Sequence, residues 1–220
     1  REHLKPYHQV FIVEMGAKNV GDIKEICDLV NPQMGIITAV GPQHLESFKS
    51  IENVQKTKFE LVDALPADGF AVLNNDFEYV ANRAVDNVTV KRYSVNKSDA
   101  ADYHAEDVKY SASGTTFTVV GEGKRIELCT KLLGECNISN LIGAVIIAMK
   151  LGVPEHKIQY AVSRIAQVEH RLNVKRAANG VTIIDDAFNS NPDGSRMALD
   201  VLGSMTDGKR IVITPGMIEL

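Results

Sequence analysis

The apolar positions of this chain fall into two kinds of run. Gln9-Val10-Phe11-Ile12-Val13 and Gly35-Ile36-Ile37-Thr38-Ala39-Val40 are apolar without alternation, as in strands of a parallel sheet covered on both faces. Each run ends in polar residues: the first delivers Glu14 and breaks at Gly16, the second delivers Gly41-Pro42-Gln43-His44. Between them, Ile23, Ile26, Cys27 and Val30 share one face of a helix over 21–30. A further helix is expected over 50–65, where Ile51, Val54, Leu61, Val62 and Leu65 recur at three-and-four spacing. Residues 69–76 then read as another strand ending in polar residues, Asn74-Asn75-Asp76. This alternation predicts an α/β fold with a mostly parallel central sheet flanked by helices.

The pattern then changes to period two over 88–95, 107–111, 115–120 and 125–129, broken by Ser113-Gly114 and Gly121-Glu122-Gly123. These segments predict a small antiparallel subsheet beside the parallel one. Helical spacing resumes over 137–151 and over 155–168, the latter after Pro154. Residues 173–180 read as a crossing into a second domain. Residues 181–184 follow as a strand presenting Asp185, Asp186 and Asn189, with Pro192 in the first turn of a helix. With a last strand over 210–214, this is the start of a second, Rossmann-like α/β domain, and the expected division is 1–172 and 173–220.

Lys58 breaks the helical pattern. It lies seven residues past Ile51 and four past Val54, in the apolar stripe, whereas Lys49 and Lys56 point away from it. Burial disfavours an ammonium and leaves a neutral, nucleophilic amine unless a partner compensates. Such an amine can add carbon dioxide to form a carbamate, an oxygen ligand suited to magnesium. The simpler reading is a long stem lying along the core with its head reaching water. In open parallel sheets ligands collect beyond the carboxyl ends of the strands, where Glu14 and His44 are expected to emerge. Either alone reads as a surface residue; with Lys58 they read as a magnesium site, and magnesium implies phosphate chemistry.

Composition narrows the classes. The 220 residues are 45% hydrophobic and 24% charged, with a net charge of −4, enough to bury a core in one or two domains and unsuited to nucleic acid or an anionic membrane. No run approaches a membrane span, and no signal peptide is visible. Cys27, Cys129 and Cys136 show no Cys-x-x-Cys spacing and read as buried, reduced thiols of a cytoplasmic protein. The expectation is a monomer acting on small molecules.

The runs Glu14-Met15-Gly16-Ala17, Gly41-Pro42-Gln43-His44-Leu45-Glu46-Ser47-Phe48, Lys56-Thr57-Lys58-Phe59-Glu60, Gly134-Glu135-Cys136-Asn137-Ile138-Ser139-Asn140, His170-Arg171-Leu172 and Asp185-Asp186-Ala187-Phe188-Asn189-Ser190-Asn191-Pro192 resemble successive motifs of the Mur ligases. These are ATP-dependent amide-bond enzymes of peptidoglycan precursor synthesis. The wording of the first, second and last runs is similar to the branch that joins D-alanyl-D-alanine to UDP-N-acetylmuramoyl tripeptide. The resemblance implies ATP and Mg²⁺ as cofactors. It implies that Glu14, His44 and carbamylated Lys58 hold magnesium and are catalytic, and that Asn137, Asn140, Arg171, Asp186 and Asn189 contact the nucleotide. Read without it, Asn137 is a helix N-cap, Arg171 a surface charge and Asp185 a turn cap. The chain departs from many relatives at Cys136, His170 and Ala39.

A phosphate-binding loop of the Gly-x-x-x-x-Gly-Lys-Ser/Thr type is absent: Gly123-Lys124 and Gly208-Lys209 are each followed by arginine. The resemblance places that loop upstream of Glu14, so the chain is expected to be an internal piece of a longer ligase, inactive alone. The alternatives are another ligase of this kind, acting in murein, folylpolyglutamate or cyanophycin synthesis, or a noncatalytic nucleotide-binding module.

Overall fold

The computed structural model describes residues 5–42, 44–111, 113–188, 192–205, 208–214 and 216. Helix α1 (Asp22–Val30) leads to β1 (Met34–Ile37), the single turn α2 (Leu45–Phe48) and α3 (Ile51–Asp63). Next come β2 (Phe70–Asn74), the short α4 (Glu78–Ala81), β3 (Thr89–Tyr93), β4 (Tyr103–Ser111), β5 (Gly114–Gly121) and β6 (Lys124–Thr130). Helices α5 (Glu135–Lys150) and α6 (Glu155–Arg164) follow, then β7 (Asn173–Arg176), β8 (Thr182–Asp185) and α7 (Pro192–Ser204).

The strands β1 to β6 form one sheet in chain order. Met34 to Ile37 pair in parallel with Phe70 to Leu73, and Phe70 to Asn74 in parallel with Thr89 to Tyr93. A single parallel pairing, Tyr93 with Tyr103, joins β4, after which β5 and β6 continue antiparallel. The expected mixed α/β architecture is therefore present, with one correction. The strand expected over 88–95 belongs to the parallel half, and the antiparallel strands extend the same sheet instead of packing beside it. Period two marks a half-exposed strand whatever its direction, so the pattern could not separate the two.

The strand β2 shows why the sheet has two cores. All five of its residues are buried, and its alternation sends Phe70 and Val72 to one face and Ala71 and Leu73 to the other. The first face packs against Ile138, Ile142, Val145 and Ile146 of α5 and Ile158 and Val162 of α6. The second packs against Val54, Phe59 and Val62 of α3. Ser50 caps α3, its hydroxyl accepting from the Asn53 N–H at 3.3 Å.

Several expected elements differ. Residues 9–13 are not a strand: Val10, Phe11 and Ile12 are exposed, and the outer edge of β1 pairs with no described strand. Residues 210–214 likewise form no strand, with Ile211, Val212 and Ile213 exposed. A strand needs a hydrogen-bonded neighbour, which apolar composition alone does not supply. The strand β1 ends at Ile37 and α6 at Arg164, earlier than their patterns suggested. The expected crossing over 173–180 holds β7, paired antiparallel with β8. All three cysteines are free, and only Cys27 is buried; Cys129 is exposed and Cys136 half-buried.

Candidate functional site

A cleft of about 530 Å³ opens beyond the carboxyl ends of β1, β2 and β3, against the first turns of α5 and one face of α7. Its walls include Thr38 to Pro42 after β1, Asp76 after β2, Val95 after β3, Ser139 and Asn140 of α5, and Met197 of α7. This is the crevice in which open α/β sheets collect ligands. Gly134 caps helix α5 with a φ of 89° and ψ of 152° that suit glycine, and it has no side chain to accept from the first N–H groups. Those groups and the helix dipole give this end of the cleft a positive character.

Asn137 is therefore not the N-cap. It lies inside the first turn, its Nδ2 donating to the Leu133 carbonyl at 2.7 Å. Asn140 is exposed and lines the cleft, as does Cys136. Burial pushes the Cys136 thiol above its ordinary pKa, which keeps it protonated and a weak nucleophile.

Lys58 is half-buried on α3 beside the fully buried Thr57 and Phe59, while Lys56 and Lys49 are exposed. Burial alone lowers the Lys58 pKa, and no described residue pairs with its ammonium. Glu14 is exposed in the segment before α1. His44 is exposed at the start of α2 with a left-handed φ of 49°. Among the described residues no cluster of three His, Cys, Asp or Glu could hold a metal.

The sequence did not reveal Glu60. Its carboxylate accepts from the Gly21 N–H at 2.8 Å and the Lys24 N–H at 2.9 Å, anchoring the amino terminus of α1 to the helix that carries Lys58. Nor did it single out Asn74, Asp76 and Ser139. The polar ending of the 69–76 run was the only signal for the first two.

Later in the chain, Arg171 lies over the Phe188 ring, 4.5 Å from its centroid. Asp185 bonds Lys175 Nζ at 2.7 Å and His170 Nδ1 at 2.9 Å, and these two partners, Lys175 first, hold its carboxyl below the usual range. Asp186 accepts from the Leu172 N–H at 3.0 Å. The loop before β7 and the segment after β8 are thereby clasped together. Asn189 lies outside the described residues.

Residues 2–148 match the family model described as the Mur ligase middle domain. The chain belongs to the Mur ligase family. It is 28% identical over 213 residues to the UDP-N-acetylmuramoyl-tripeptide--D-alanyl-D-alanine ligase of Haemophilus influenzae, covering 97% of this chain and 46% of that protein. Among solved structures, MurF from Acinetobacter baumannii superposes with a TM-score of 0.82 at 24% identity, over 92% of this chain and 44% of that one. MurF ligase from Thermotoga maritima in complex with ADP gives 0.76 at 20% identity, over 86% and 43%. This Mur ligase chain thus spans about half the length of the relatives it matches, and the two structures share its fold. Within the matched family segment lie Glu14, His44, Lys58, Asn137 and Asn140; Arg171, Asp186 and Asn189 follow it. No helix among the described residues is long and apolar enough to cross a membrane.

Proposed function

We propose that this chain supplies the nucleotide-binding core of an ATP-dependent amide ligase of the MurF kind. In the proposed reaction a substrate carboxylate attacks the γ-phosphate of ATP, releasing ADP and forming an acyl phosphate. The amine of D-alanyl-D-alanine then displaces phosphate from that acyl group, making the amide bond. The observation that carries this reading is the cleft at the sheet's carboxyl edge, bounded by the uncapped start of α5 and by Asn140. It rests also on similarity to ligases of that name and to a MurF structure in complex with ADP.

In this reading Asn140 meets the adenine edge, since its amide both donates and accepts, with Asn137 nearby as support. Arg171 faces a phosphate, Asp186 the ribose hydroxyls and Asn189 the terminal phosphate. The residue division at 172 and 173 separates the central domain from the start of the next.

The fit to magnesium turns on Lys58. An unpaired, partly desolvated amine is the group that can become a carbamate, and with Glu14 and His44 that oxygen donor completes a set suited to Mg²⁺. Bound magnesium would neutralise charge on the transferred phosphoryl group.

The test uses the full polypeptide that carries this chain. It should release phosphate only when ATP, Mg²⁺, UDP-N-acetylmuramoyl tripeptide and D-alanyl-D-alanine are all present, with ADP formed in equal amount. Asn140→Ala should weaken ADP binding by about tenfold or more. ADP binding unchanged in Asn140→Ala, or ligation of a different amine in preference, would remove the assignment.

A further inference from the structure

Both polar ends of the Asn74 carboxamide are bonded to residues that line the cleft, although Asn74 itself lies beneath it and is only 1% exposed. Its Nδ2 donates to the Thr38 carbonyl at 2.7 Å and to the Ser139 hydroxyl at 2.9 Å, and its Oδ1 accepts from the Asp76 N–H at 3.0 Å. Thr38, Asp76 and Ser139 belong to three different walls: the end of β1, the loop after β2 and the second turn of α5. Asp76 continues the chain of bonds to a fourth wall. Its carboxylate accepts from the Ser94 hydroxyl at 2.5 Å and the Val95 N–H at 2.8 Å, at the end of β3.

We propose that Asn74 is a positioning residue for nucleotide binding, holding the β1 end and α5 at the separation that a nucleotide bridges. The proposal rests on the reading of the cleft as a nucleotide site. A carboxamide suits this role because it offers two donors and an acceptor at one point. Aspartate in its place lacks the donors, and an apolar residue leaves the Thr38 carbonyl, the Asp76 N–H and the buried Ser139 hydroxyl without this partner. Ser139 directly precedes Asn140, so the bond from Asn74 also sets the height and rotation of α5 and thereby where the Asn140 amide meets a ligand. The ligand never touches Asn74, and its effect passes through the walls it holds.

The experiment compares ADP affinity and thermal stability in the full polypeptide that carries this chain, at a temperature well below each variant's unfolding. Asn74→Ala should raise the Kd for ADP by about tenfold. Thr115→Val is the matched control: Thr115 is equally buried and donates to the Leu132 carbonyl at 2.7 Å, but does not line the cleft. It should lower Tm and leave the Kd within about twofold. Ser139→Ala removes one bond without adding volume, so it is the variant to read should Asn74→Ala fail to fold, and it should raise the Kd by about threefold. The double variant should bind ADP no more weakly than Asn74→Ala, because the bond that Ser139→Ala removes is already lost in Asn74→Ala.

A wild-type Kd in Asn74→Ala, or in Ser139→Ala where that is the variant read, with only Tm lowered, overturns the proposal and leaves the nucleotide reading standing. Equal weakening by Thr115→Val also overturns it, since the effect is then general loss of stability. Failure of the wild-type protein to bind ADP overturns both.

Discussion

Burial acts on Lys58 in two directions, against stability and toward reactivity. Its folded pKa lies below the ordinary lysine value, so at any pH below that value the unfolded chain holds the proton more firmly than the folded one. Stability should therefore rise with pH across the interval between the two pKa values and be lowest, as far as Lys58 is concerned, below the folded one. Lys58→Met should raise Tm at neutral pH, by about 2–4 °C for each kcal/mol relieved, and the gain should vanish above the lysine range. The same substitution should nearly abolish ligation in the full polypeptide, while Lys56→Ala, on the exposed face, should leave both unchanged. A neutral effect of Lys58→Met on Tm and turnover, measured by calorimetry and phosphate release, would reduce Lys58 to a stem lying along the core. Lys58 was legible because its spacing within the helix betrays it. Glu60 was not, because its partners Gly21 and Lys24 are 39 and 36 residues away, and no local pattern encodes that distance.

Among the elements, α5 shows how a backbone choice and a ligand site coincide. Gly134 starts the helix in a conformation that residues with a Cβ rarely adopt, and an added Cβ would sit 2.7 Å from Leu172 Cδ1. Gly134→Ala should destabilise by about 1–3 kcal/mol and weaken ADP binding as the first turn shifts, readable by denaturant titration beside a nucleotide assay. Unchanged stability would mean that the chain rotates freely at that point. The helices were legible from period alone: α1, α3 and α5 fall within a few residues of expectation, since a helix satisfies its own backbone. Strands were legible only where the fold supplies a neighbour. Gly35-Ile36-Ile37 found one in β2, whereas the equally apolar Val10-Phe11-Ile12 found none among the described strands. The site shows the same split. Asn140 reaches the cleft on a helix whose pattern was clear, while Asn74 acts through bonds to Thr38 and Ser139 that only the folded sheet brings together.

At the scale of the whole molecule, the two halves of the sheet differ in how far each strand must reach along the chain for its neighbour. The strands β4, β5 and β6 are joined by tight turns. The strand β1 must wait for β2 until α2 and α3 have intervened, from Ile37 to Phe70. Closing a long loop before its contacts form is entropically costly. The order of assembly should follow: in pulsed hydrogen exchange during refolding, amides of Phe117, Val119, Ile126 and Leu128 should become protected before those of Ile36, Val72 and Leu73. Simultaneous protection of both groups would show a single concerted step. In the expected order the cleft forms late, because the ends of β1, β2 and β3 that wall it belong to the half that closes late. A refolding chain would then carry a finished antiparallel edge for some time before it could recognise any ligand.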